Sequence, residues 1–154
     1  MAKVSPGKKV PQFSIPTTAG TFRLKDALGS KLVVYFYPRD NTPGCTREGE
    51  AFRDLHPKFK RAGTIVLGVS PDSLASHARF REKMGFPFDL ASDEERKLAE
   101  LFGVWKEKNM YGKKVMGIER STFLVDAEGI LRQEWRKVKV DGHAEAVLAA
   151  AKAL

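Results

Sequence analysis

Residues 32–59 read LVVYFYPRDNTPGCTREGEAFRDLHPKF, and this stretch decides the fold. Its first six residues form an unbroken apolar run, which is typical of a strand buried on both faces of a sheet. The run stops at Pro38, which has no N–H to donate to a neighbouring strand. Thr42 then precedes Pro43, and a hydroxyl residue directly before a proline is a common way for a helix to begin. The stretch therefore predicts a buried strand, a turn and a helix.

The predicted helix carries the only cysteine of the chain, Cys45, in its first turn. A lone cysteine is by default a small buried hydrophobic residue. Here the neighbours Pro43, Gly44 and Thr46 form no apolar face, and the position follows the carboxyl end of a buried strand, where open α/β sheets bind ligands. Unpaired N–H groups and the positive end of the helix dipole favour a thiolate over a thiol at a helix start. We therefore predict that Cys45 is a nucleophile.

Two segments far apart in the chain carry a family resemblance. The first is YFYPRDNTPGCTRE at residues 35–48, which contains the pattern Pro38-x-x-x-Thr42-x-x-Cys45, and the second is GIERSTFLVD at residues 117–126. Together they resemble the peroxiredoxin family, and within it the Q type, also called bacterioferritin comigratory protein. Each segment alone is a moderate signal, whereas the two together are highly specific.

The resemblance extends from about residue 7 to residue 154 and implies both a fold and an activity. The implied fold class is α/β, a thioredoxin fold of the peroxiredoxin type, with a central mixed sheet, helices on both faces and an N-terminal β-hairpin. We expect residues 1–154 to form one domain of this kind, since the chain length suits a single domain. The implied activity is that of a thiol-dependent peroxidase, which reduces hydrogen peroxide and organic hydroperoxides through a sulfenic acid on Cys45.

The resemblance also implies that Arg120 acts on Cys45. A guanidinium is protonated at any working pH, so near the sulfur it favours the thiolate, and its fork can hold two oxygens of a peroxide. Cys45 follows the strand 32–37, whereas Arg120 precedes the strand 121–125. The two side chains can therefore meet only if these strands run antiparallel in one sheet.

Other residues around the sulfur receive roles from the same resemblance. The hydroxyl of Thr42 and the N–H groups at the helix start would stabilise negative charge on the leaving oxygen. Glu48, one helical turn past the cysteine, would hold the arginine, and we prefer it to Glu119 for this role. Pro38 and Pro43 would shield the sulfur from bulk water. The predicted catalytic residues are thus Cys45, Thr42, Arg120 and Pro38, with Pro43, Gly44 and Glu48 in support.

The sequence departs from the Q type in its number of cysteines. Q-type members often carry a second, resolving cysteine, either five residues after the first or in the next helix. Those positions hold Glu50 and Arg81 in this chain. Recycling is therefore expected to use an external thiol reductant, for which thioredoxin, glutaredoxin and glutathione all remain open. We expect a monomer, and a dimer linked through two copies of Cys45 is the alternative.

Composition bears on other kinds of partner. The chain has 154 residues and a net charge of +8, but its basic residues are spread from Lys3 to Lys152 with acidic residues among them. We therefore expect a solvated basic surface and no nucleic-acid binding. No apolar run approaches the ~20 residues of a membrane-spanning helix, and the stretch Met1–Lys9 lacks the apolar core of a secretory signal. With one cysteine, these features favour a cytoplasmic protein that does not bind a membrane.

Two other classes of function use the same residues. A cysteine hydrolase needs a histidine base near the sulfur, but His56, His77 and His143 do not lie within obvious reach of Cys45. A peroxide sensor or a chaperone-like binding protein would keep the oxidation chemistry without efficient turnover. Metal-ligand spacing, a phosphate-binding loop and a cofactor motif are not visible, so we predict no metal and no cofactor.

Strand patterns before and after the cysteine segment predict the rest of the sheet. Alternating segments at residues 11–16 and 21–24 predict an N-terminal hairpin that closes an edge. The apolar run 64–70 predicts a second buried strand, which is parallel to the first because a helix connects them. Residues 121–125 and 130–135 flank a turn and predict an antiparallel hairpin.

Two predicted helices in the first half of the chain have irregular features. The helix of Cys45 contains Pro57, which lacks an N–H and clashes with the preceding turn, so we expect a kink or an end near residues 53–56. The next helix begins after residues 71–73. It directs four residues to one side: Leu74, His77, Phe80 and Met84. His77 is expected to be a packed residue there, not a ligand.

Local signals assign the remaining segments. Residues 86–90 are predicted as a short strand. Ser92 begins a capping-box pattern, which predicts a helix from there to Gly103. Residues 104–118 show no periodicity and predict a polar loop. The last helix is predicted from His143, and its inward residues are Ala144, Val147, Leu148 and Ala151.

Overall fold

Strands and helices alternate along much of the chain. The structure is a computed structural model that describes residues 3–154. In chain order the strands are Ser14–Thr17 (β1), Gly20–Arg23 (β2), Lys31–Phe36 (β3), Thr64–Ser70 (β4), Asp89–Ser92 (β5), Trp105–Met110 (β6), Lys113–Ile118 (β7), Ser121–Val125 (β8) and Leu131–Trp135 (β9). The helices are Leu24–Ala27 (α1), Pro43–Arg61 (α2), Leu74–Met84 (α3), Lys97–Leu101 (α4) and His143–Lys152 (α5).

A mixed sheet of seven strands forms the centre, in the order β2-β1-β5-β4-β3-β8-β9. The interior strand β3 pairs in parallel with β4 and antiparallel with β8. The hairpin β1–β2 occupies one edge of the sheet and β9 the other. These pairings confirm the predicted mixed α/β sheet, the N-terminal hairpin at an edge and the second hairpin.

The side chains of β3 alternate between two apolar cores. Leu32, Val34 and Phe36 join the core that includes residues of α1 and α4. Val33 points the other way and joins the core formed with α2, α3 and α5. Successive residues of a strand face opposite sides of a sheet, so one fully apolar strand serves both cores. Cys45 lies in the second core, between the sheet and the start of α2.

Residues 104–118 contain a β-hairpin, so the predicted polar loop is wrong. Strands β6 and β7 pair antiparallel and form a separate two-stranded sheet. Tyr111 and Gly112 connect them with φ angles of 55° and 80°, and positive φ at both positions is typical of two-residue hairpin turns. The hairpin is largely exposed on both faces. Strand pairing without a buried face does not require alternation of apolar and polar residues, which explains why the sequence showed no period.

Two details of the predicted helices differ from the structure. Helix α2 continues through Pro57 to its last residue, Arg61, so it does not end near residues 53–56. Phe52 and Phe59 are fully buried on either side of the proline, and their packing stabilises the helix against the missing hydrogen bond. Leu74 is 41% exposed because it is the first residue of α3, so its predicted inward position is wrong.

The predicted capping box at Ser92 is also wrong. Ser92 is the last residue of β5, and α4 begins only after Arg96. The carboxylate of Asp93 accepts hydrogen bonds from the N–H groups of Leu98 and Ala99 at 3.0 and 2.8 Å. The helix is therefore capped from a loop residue that precedes it by several positions, which the four-residue capping pattern does not describe.

The carboxyl-terminal half otherwise follows its predicted pattern. Helix α5 begins at His143 and buries the four residues predicted to face inward. The strand predicted at residues 86–90 lies slightly later, in β5. Among residues 3–154, none of the helices combines the length and the apolar character needed to cross a bilayer. Met1 and Ala2, which begin the predicted domain and the stretch compared with a secretory signal, lie outside the described residues.

Candidate active site

Antiparallel pairing of β3 and β8 brings Arg120 to Cys45. Phe36 at the end of β3 lies opposite Ser121 at the start of β8. The same end of the sheet therefore holds both the turn that follows β3 and Arg120, which precedes β8. Arg120 donates a hydrogen bond from Nη2 to Cys45 Sγ at 3.3 Å, across 75 positions of sequence.

A buried carboxylate holds the other arm of the guanidinium. Glu48, one turn after Cys45 on α2, accepts a hydrogen bond from Arg120 Nη1 at 2.6 Å. The side chain of Glu48 is 1% exposed and that of Arg120 is 17% exposed. Two hydrogen bonds therefore fix the plane of the guanidinium, and the cation that donates to sulfur stabilises negative charge there.

The pKa values of Glu48 and Arg120 are both raised. Burial raises the pKa of Glu48 to about 7, although the charge and the hydrogen bond of Arg120 oppose this shift. Glu48 Oε2 is the one buried side-chain N or O atom of residues 3–154 that lacks a hydrogen-bond partner. For Arg120, burial lowers the pKa, but the charges of Glu48 and Cys45 outweigh burial and raise it. Arg120 thus stays protonated, while Glu48 titrates close to neutral pH.

Gly44 leaves room for the guanidinium beside the sulfur. A Cβ atom at this position would lie 3.3 Å from Arg120 Nη2. That separation is shorter than an ordinary contact between a carbon and a nitrogen that are not hydrogen-bonded. A larger residue would therefore press on the same nitrogen that donates to Cys45.

The start of α2 differs from a side-chain-capped helix. Thr42 is the N-cap residue and Pro43 is the first residue of the helix, as predicted. The Thr42 hydroxyl, however, donates to the carbonyl oxygen of Arg39 at 2.9 Å and does not cap the helix. The N–H of Thr46 donates to the carbonyl of Thr42 at 2.8 Å and closes the first turn. Pro43 is exposed, whereas Pro38 is half-buried.

The residue that carries the sulfur is buried. Cys45 is 2% exposed and belongs to the same core as Tyr35 and Phe52. Of the three hydrogen-bonded side chains in the site, Arg120 is the most exposed.

A buried polar cluster anchors the turn between β3 and α2. Asp40 accepts a hydrogen bond from the hydroxyl of Tyr37 at 2.6 Å, and its other oxygen lies 2.7 Å from His77 Nδ1. His77 Nε2 lies 2.9 Å from the carbonyl oxygen of Ala91, which only accepts, so Nε2 carries a proton. Asp72 accepts from the N–H of Asp40 at 2.8 Å. These bonds give His77 a structural role, as its position in an apolar stripe predicted.

The ligand atoms of Asp40, Asp72 and His77 lie within 4.8 Å of one another. Within residues 3–154 they are the one group of three side chains whose ligand atoms lie close enough together to hold an ion. Both carboxylates, however, already accept hydrogen bonds from protein donors. The cluster is therefore satisfied by the protein itself.

The other two histidines also make their contacts away from the sulfur. His143 Nε2 lies 2.8 Å from Thr122 Oγ1, and burial lowers the pKa of His143 to about 4. His56 packs near the ring of Phe88, with ring centroids 6.0 Å apart. In the part of the chain that the structure describes, Cys45 has no hydrogen bond to a histidine, which a cysteine hydrolase would need.

Lys108 on β6 is a second cation near the site, and sequence analysis did not single it out. Its side chain crosses Gly117, where a Cβ atom would lie 3.2 Å from Lys108 Cδ. Burial lowers the pKa of Lys108 and the charge of Arg120 lowers it further, whereas Glu119 and Cys45 raise it. Lys108 is therefore close enough to Arg120 and Cys45 to share their electrostatic field. Gly117 was the one feature of the sequence that pointed to a side chain packed across the backbone at this position. Because residues 104–118 were predicted as a loop, the sequence did not indicate that this side chain is Lys108.

Comparison with known proteins identifies the family of the chain. The profile of the AhpC/TSA family matches residues 6–134. The chain belongs to the AhpC/TSA family. Within that family, Peroxiredoxin Bcp of Xanthomonas campestris pv. campestris is 59% identical over 130 residues, which are 84% of this chain and 81% of that protein. The predicted peroxiredoxin resemblance is therefore confirmed.

Solved structures of peroxiredoxins share the fold. PrxQ of Xylella fastidiosa has a TM-score of 0.93 at 42% identity, with 99% of this chain and 98% of that chain covered. The bacterioferritin comigratory protein of Xanthomonas campestris, studied for its alkyl peroxide reduction activity, has a TM-score of 0.89 at 51% identity, with 99% and 98% covered. This Q-type peroxiredoxin is thus a thiol-dependent peroxidase with a thioredoxin-like fold, and it uses a peroxide and a thiol reductant.

Proposed function

We propose that Cys45 is the peroxidatic nucleophile of this enzyme and that Arg120 and Glu48 prepare it. The observation that supports this assignment is the hydrogen bond from Arg120 to the sulfur at 3.3 Å, with Glu48 holding the other arm at 2.6 Å. An arginine held in this way keeps a positive charge beside the sulfur without being free to swing out to solvent. Such preorganisation lowers the barrier for a reaction in which charge moves away from a thiolate.

The oxidation step transfers one oxygen atom to Cys45. The thiolate attacks the distal oxygen of the hydroperoxide, an S–O bond forms and the O–O bond breaks. The leaving alkoxide or hydroxide takes a proton and departs as alcohol or water, and the sulfur is oxidised to a sulfenic acid. Arg120 and the N–H groups at the start of α2 are the proposed donors to the leaving oxygen.

Thr42 and the two prolines have secondary roles in this proposal. The Thr42 hydroxyl donates to Arg39, so it would have to turn toward the peroxide before it could stabilise the leaving oxygen. Pro38 and Pro43 would keep bulk water from the sulfenic acid, and Gly44 would keep the guanidinium in place. These roles follow from the position of each residue at the turn into α2.

Recycling would use a thiol from another molecule. Glu50 lies on α2, and Arg81 on α3 donates to the carbonyl of Phe88 at 2.9 Å, so neither predicted resolving position offers a second sulfur. The external thiol condenses with the sulfenic acid to a mixed disulfide and releases water. Thioredoxin, glutaredoxin and glutathione all supply that chemistry. We further propose that the enzyme is a monomer and works in the cytoplasm, where such thiols are kept reduced.

Replacement of Cys45→Ser tests this proposal. We expect the variant to lose steady-state peroxide consumption in the presence of a regenerating thiol system, because a hydroxyl is not ionised at neutral pH. Circular dichroism should remain unchanged, and Thr46→Ser at the next position serves as the control for a small change in the same turn. A Cys45→Ser protein that still consumes peroxide would exclude Cys45 as the nucleophile.

The same assay separates an enzyme from a peroxide sensor. An enzyme consumes many equivalents of peroxide per molecule with a regenerating thiol, whereas a sensor without efficient turnover stops near one. Mass spectrometry after one equivalent of peroxide would identify the product as a sulfenic acid, a mixed disulfide or a dimer linked through Cys45.

A further inference from the structure

The hairpin β6–β7 has one face that takes no part in the proposed oxidation of Cys45. Side chains on paired antiparallel strands alternate between the two faces of the ribbon. The register pairs are Lys106 with Gly117, Lys108 with Val115 and Met110 with Lys113, so these six residues share one face. We call this surface the lysine face.

The lysine face combines positive charge with exposed apolar groups. It carries three lysines and no acidic residue. Met110 and Val115 on this face are 52% and 39% exposed, and Tyr111 at the tip of the hairpin is 100% exposed. Exposed methionine and tyrosine side chains are typical of protein interaction surfaces.

The opposite face of the hairpin has a different charge pattern. There Lys114 lies 3.7 Å from Glu107 and forms an ion pair with it. The positive charge of the hairpin is therefore uncompensated on the lysine face and balanced on the other. A negatively charged partner would thus distinguish the two faces.

The lysine face begins at the active site. Lys108 crosses Gly117 toward the region of Arg120 and Cys45. Arg120 follows β7 after a single residue, so the hairpin leads directly into the site. The face runs from Lys106 to Met110 on β6, which makes it about 13 Å long at ~3.3 Å per residue.

We propose that the lysine face docks the protein that reduces oxidised Cys45, a dithiol protein whose reactive cysteine is surrounded by an acidic and partly apolar surface. This inference rests on the proposed function. The face is longer than glutathione, which is a tripeptide. Only a larger partner, such as a protein, contacts the whole face at once. A second copy of this chain fits poorly, because each copy has a net charge of +8 and would bring the same three lysines to a two-fold contact.

Docking at this face would serve two steps, the condensation of a thiol with the sulfenic acid and a thiol–disulfide exchange. The first thiol of the partner attacks the sulfenic sulfur of Cys45, a mixed disulfide forms and water leaves. The second thiol of the partner then attacks the partner's own sulfur, which restores the Cys45 thiol and leaves a disulfide in the partner. Two electrons pass from the dithiol to Cys45 in total. Positive charge beside the sulfur would raise the association rate of an acidic partner.

Neighbouring lysines on opposite faces of β7 supply a matched test. Lys113→Glu reverses a charge on the lysine face, and Lys114→Glu makes the same change at the next residue on the other face. Peroxide-oxidised enzyme is mixed with an acidic bacterial thioredoxin, and the second-order rate constant for reduction is measured by stopped flow at several salt concentrations. Dithiothreitol, a small uncharged dithiol, is the parallel reductant.

We expect Lys113→Glu to lower the thioredoxin rate constant on the order of tenfold at low salt, with a smaller effect at high salt. Lys114→Glu should change it less than about twofold, and neither variant should change the rate with dithiothreitol. Equal effects of the two variants, or no effect of Lys113→Glu, would overturn the docking site. Concentration-dependent dimers that bury the hairpin would assign the face to a second copy and would also overturn it.

A binding measurement keeps this inference separate from the proposed function. Thioredoxin is titrated into the Cys45→Ser protein, and the amide resonances of β6 and β7 are followed by NMR. Shifts confined to the hairpin and the start of α2, weakened by Lys113→Glu, would support docking even if Cys45 were not the nucleophile. Failure of the proposed function would instead appear as an unmodified enzyme whose Cys45 is not oxidised by hydrogen peroxide.

Discussion

Gly44 and Gly49 of α2 each leave room for a neighbouring side chain. The neighbour of Gly44 belongs to the candidate active site, whereas the neighbour of Gly49 belongs to the apolar core. A Cβ atom on Gly44 would lie 3.3 Å from Arg120 Nη2. A Cβ atom on Gly49 would lie 2.4 Å from Phe86 Cζ, inside a packed apolar core. The end of the Arg120 side chain needs to shift only slightly to relieve its contact, whereas a buried ring cannot move without displacing its own neighbours. Gly44 therefore serves the site and Gly49 serves the packing.

We predict opposite consequences for alanine at these two glycines. Gly44→Ala should slow the oxidation of Cys45 by hydrogen peroxide several-fold, because it displaces the guanidinium, and should leave the free energy of unfolding nearly unchanged. Gly49→Ala should lower the free energy of unfolding by about 1–3 kcal/mol through overpacking. Stopped-flow oxidation and urea denaturation of both proteins measure this contrast. A stable Gly49→Ala protein together with a fully active Gly44→Ala protein would contradict it.

Helix α2 carries the site at its first turn and an irregularity near its other end. Pro57 has no N–H, so the carbonyl of Arg53 loses its usual helical partner. The guanidinium of Arg53 donates to the carbonyl of Met84 on α3 at 2.8 Å, which ties this part of the helix to its neighbour. Burial of Phe52 and Phe59 keeps the helix continuous. Tertiary packing, not local propensity, thus sets the length of α2.

Removal of this proline should stabilise the protein. In Pro57→Ala the restored N–H can bond to the carbonyl of Arg53, and Pro57 is exposed, so little apolar burial is lost. We expect the free energy of unfolding to rise by about 1–3 kcal/mol. Urea denaturation is the measurement, and Lys58→Ala at the next exposed position is the control for helix propensity. A lower free energy of unfolding in Pro57→Ala would show that the proline is accommodated without loss.

At the scale of the whole molecule, the buried titratable groups Glu48 and His143 have opposing effects on stability. Burial raises the pKa of Glu48 from 4.5 to about 7, so the stability present below pH 4.5 is lost as the pH rises toward 7. Burial lowers the pKa of His143 from 6.5 to about 4, so the stability present above pH 6.5 is lost as the pH falls toward 4. Between these limits the two contributions partly cancel.

Glu48→Gln should change how the free energy of unfolding depends on pH. Glutamine remains neutral, so the variant should gain stability relative to the original protein as the pH rises from 4.5 to 8. We expect a relative gain on the order of 2–3 kcal/mol. Urea denaturation at pH 4.5, 6 and 8 provides the measurement, and Glu50→Gln is the control for loss of a carboxylate from α2. A difference between Glu48→Gln and the original protein that does not change with pH would refute the role of burial.

Local patterns predicted the elements that carry their own signal. The apolar run of β3, the turn residues before Pro43 and the helical spacing after His143 each depend on residues close together in sequence. The hairpin β6–β7 escaped prediction because neither of its faces is buried, so no apolar period marks it. Asp93 caps α4 from outside the usual pattern, and only the folded loop brings its carboxylate to the helix.

The amino-acid sequence by itself determined the class of fold, the family and the single candidate nucleophile, Cys45, because each depends on short motifs and on apolar runs. Only the tertiary structure decided that Arg120 and Glu48 meet at Cys45 and that Lys108 extends the positive field along one face of a hairpin. The physical reason is that these contacts depend on the direction and register of strands that are distant in the chain. Strand pairing sets that register, and local sequence does not specify it.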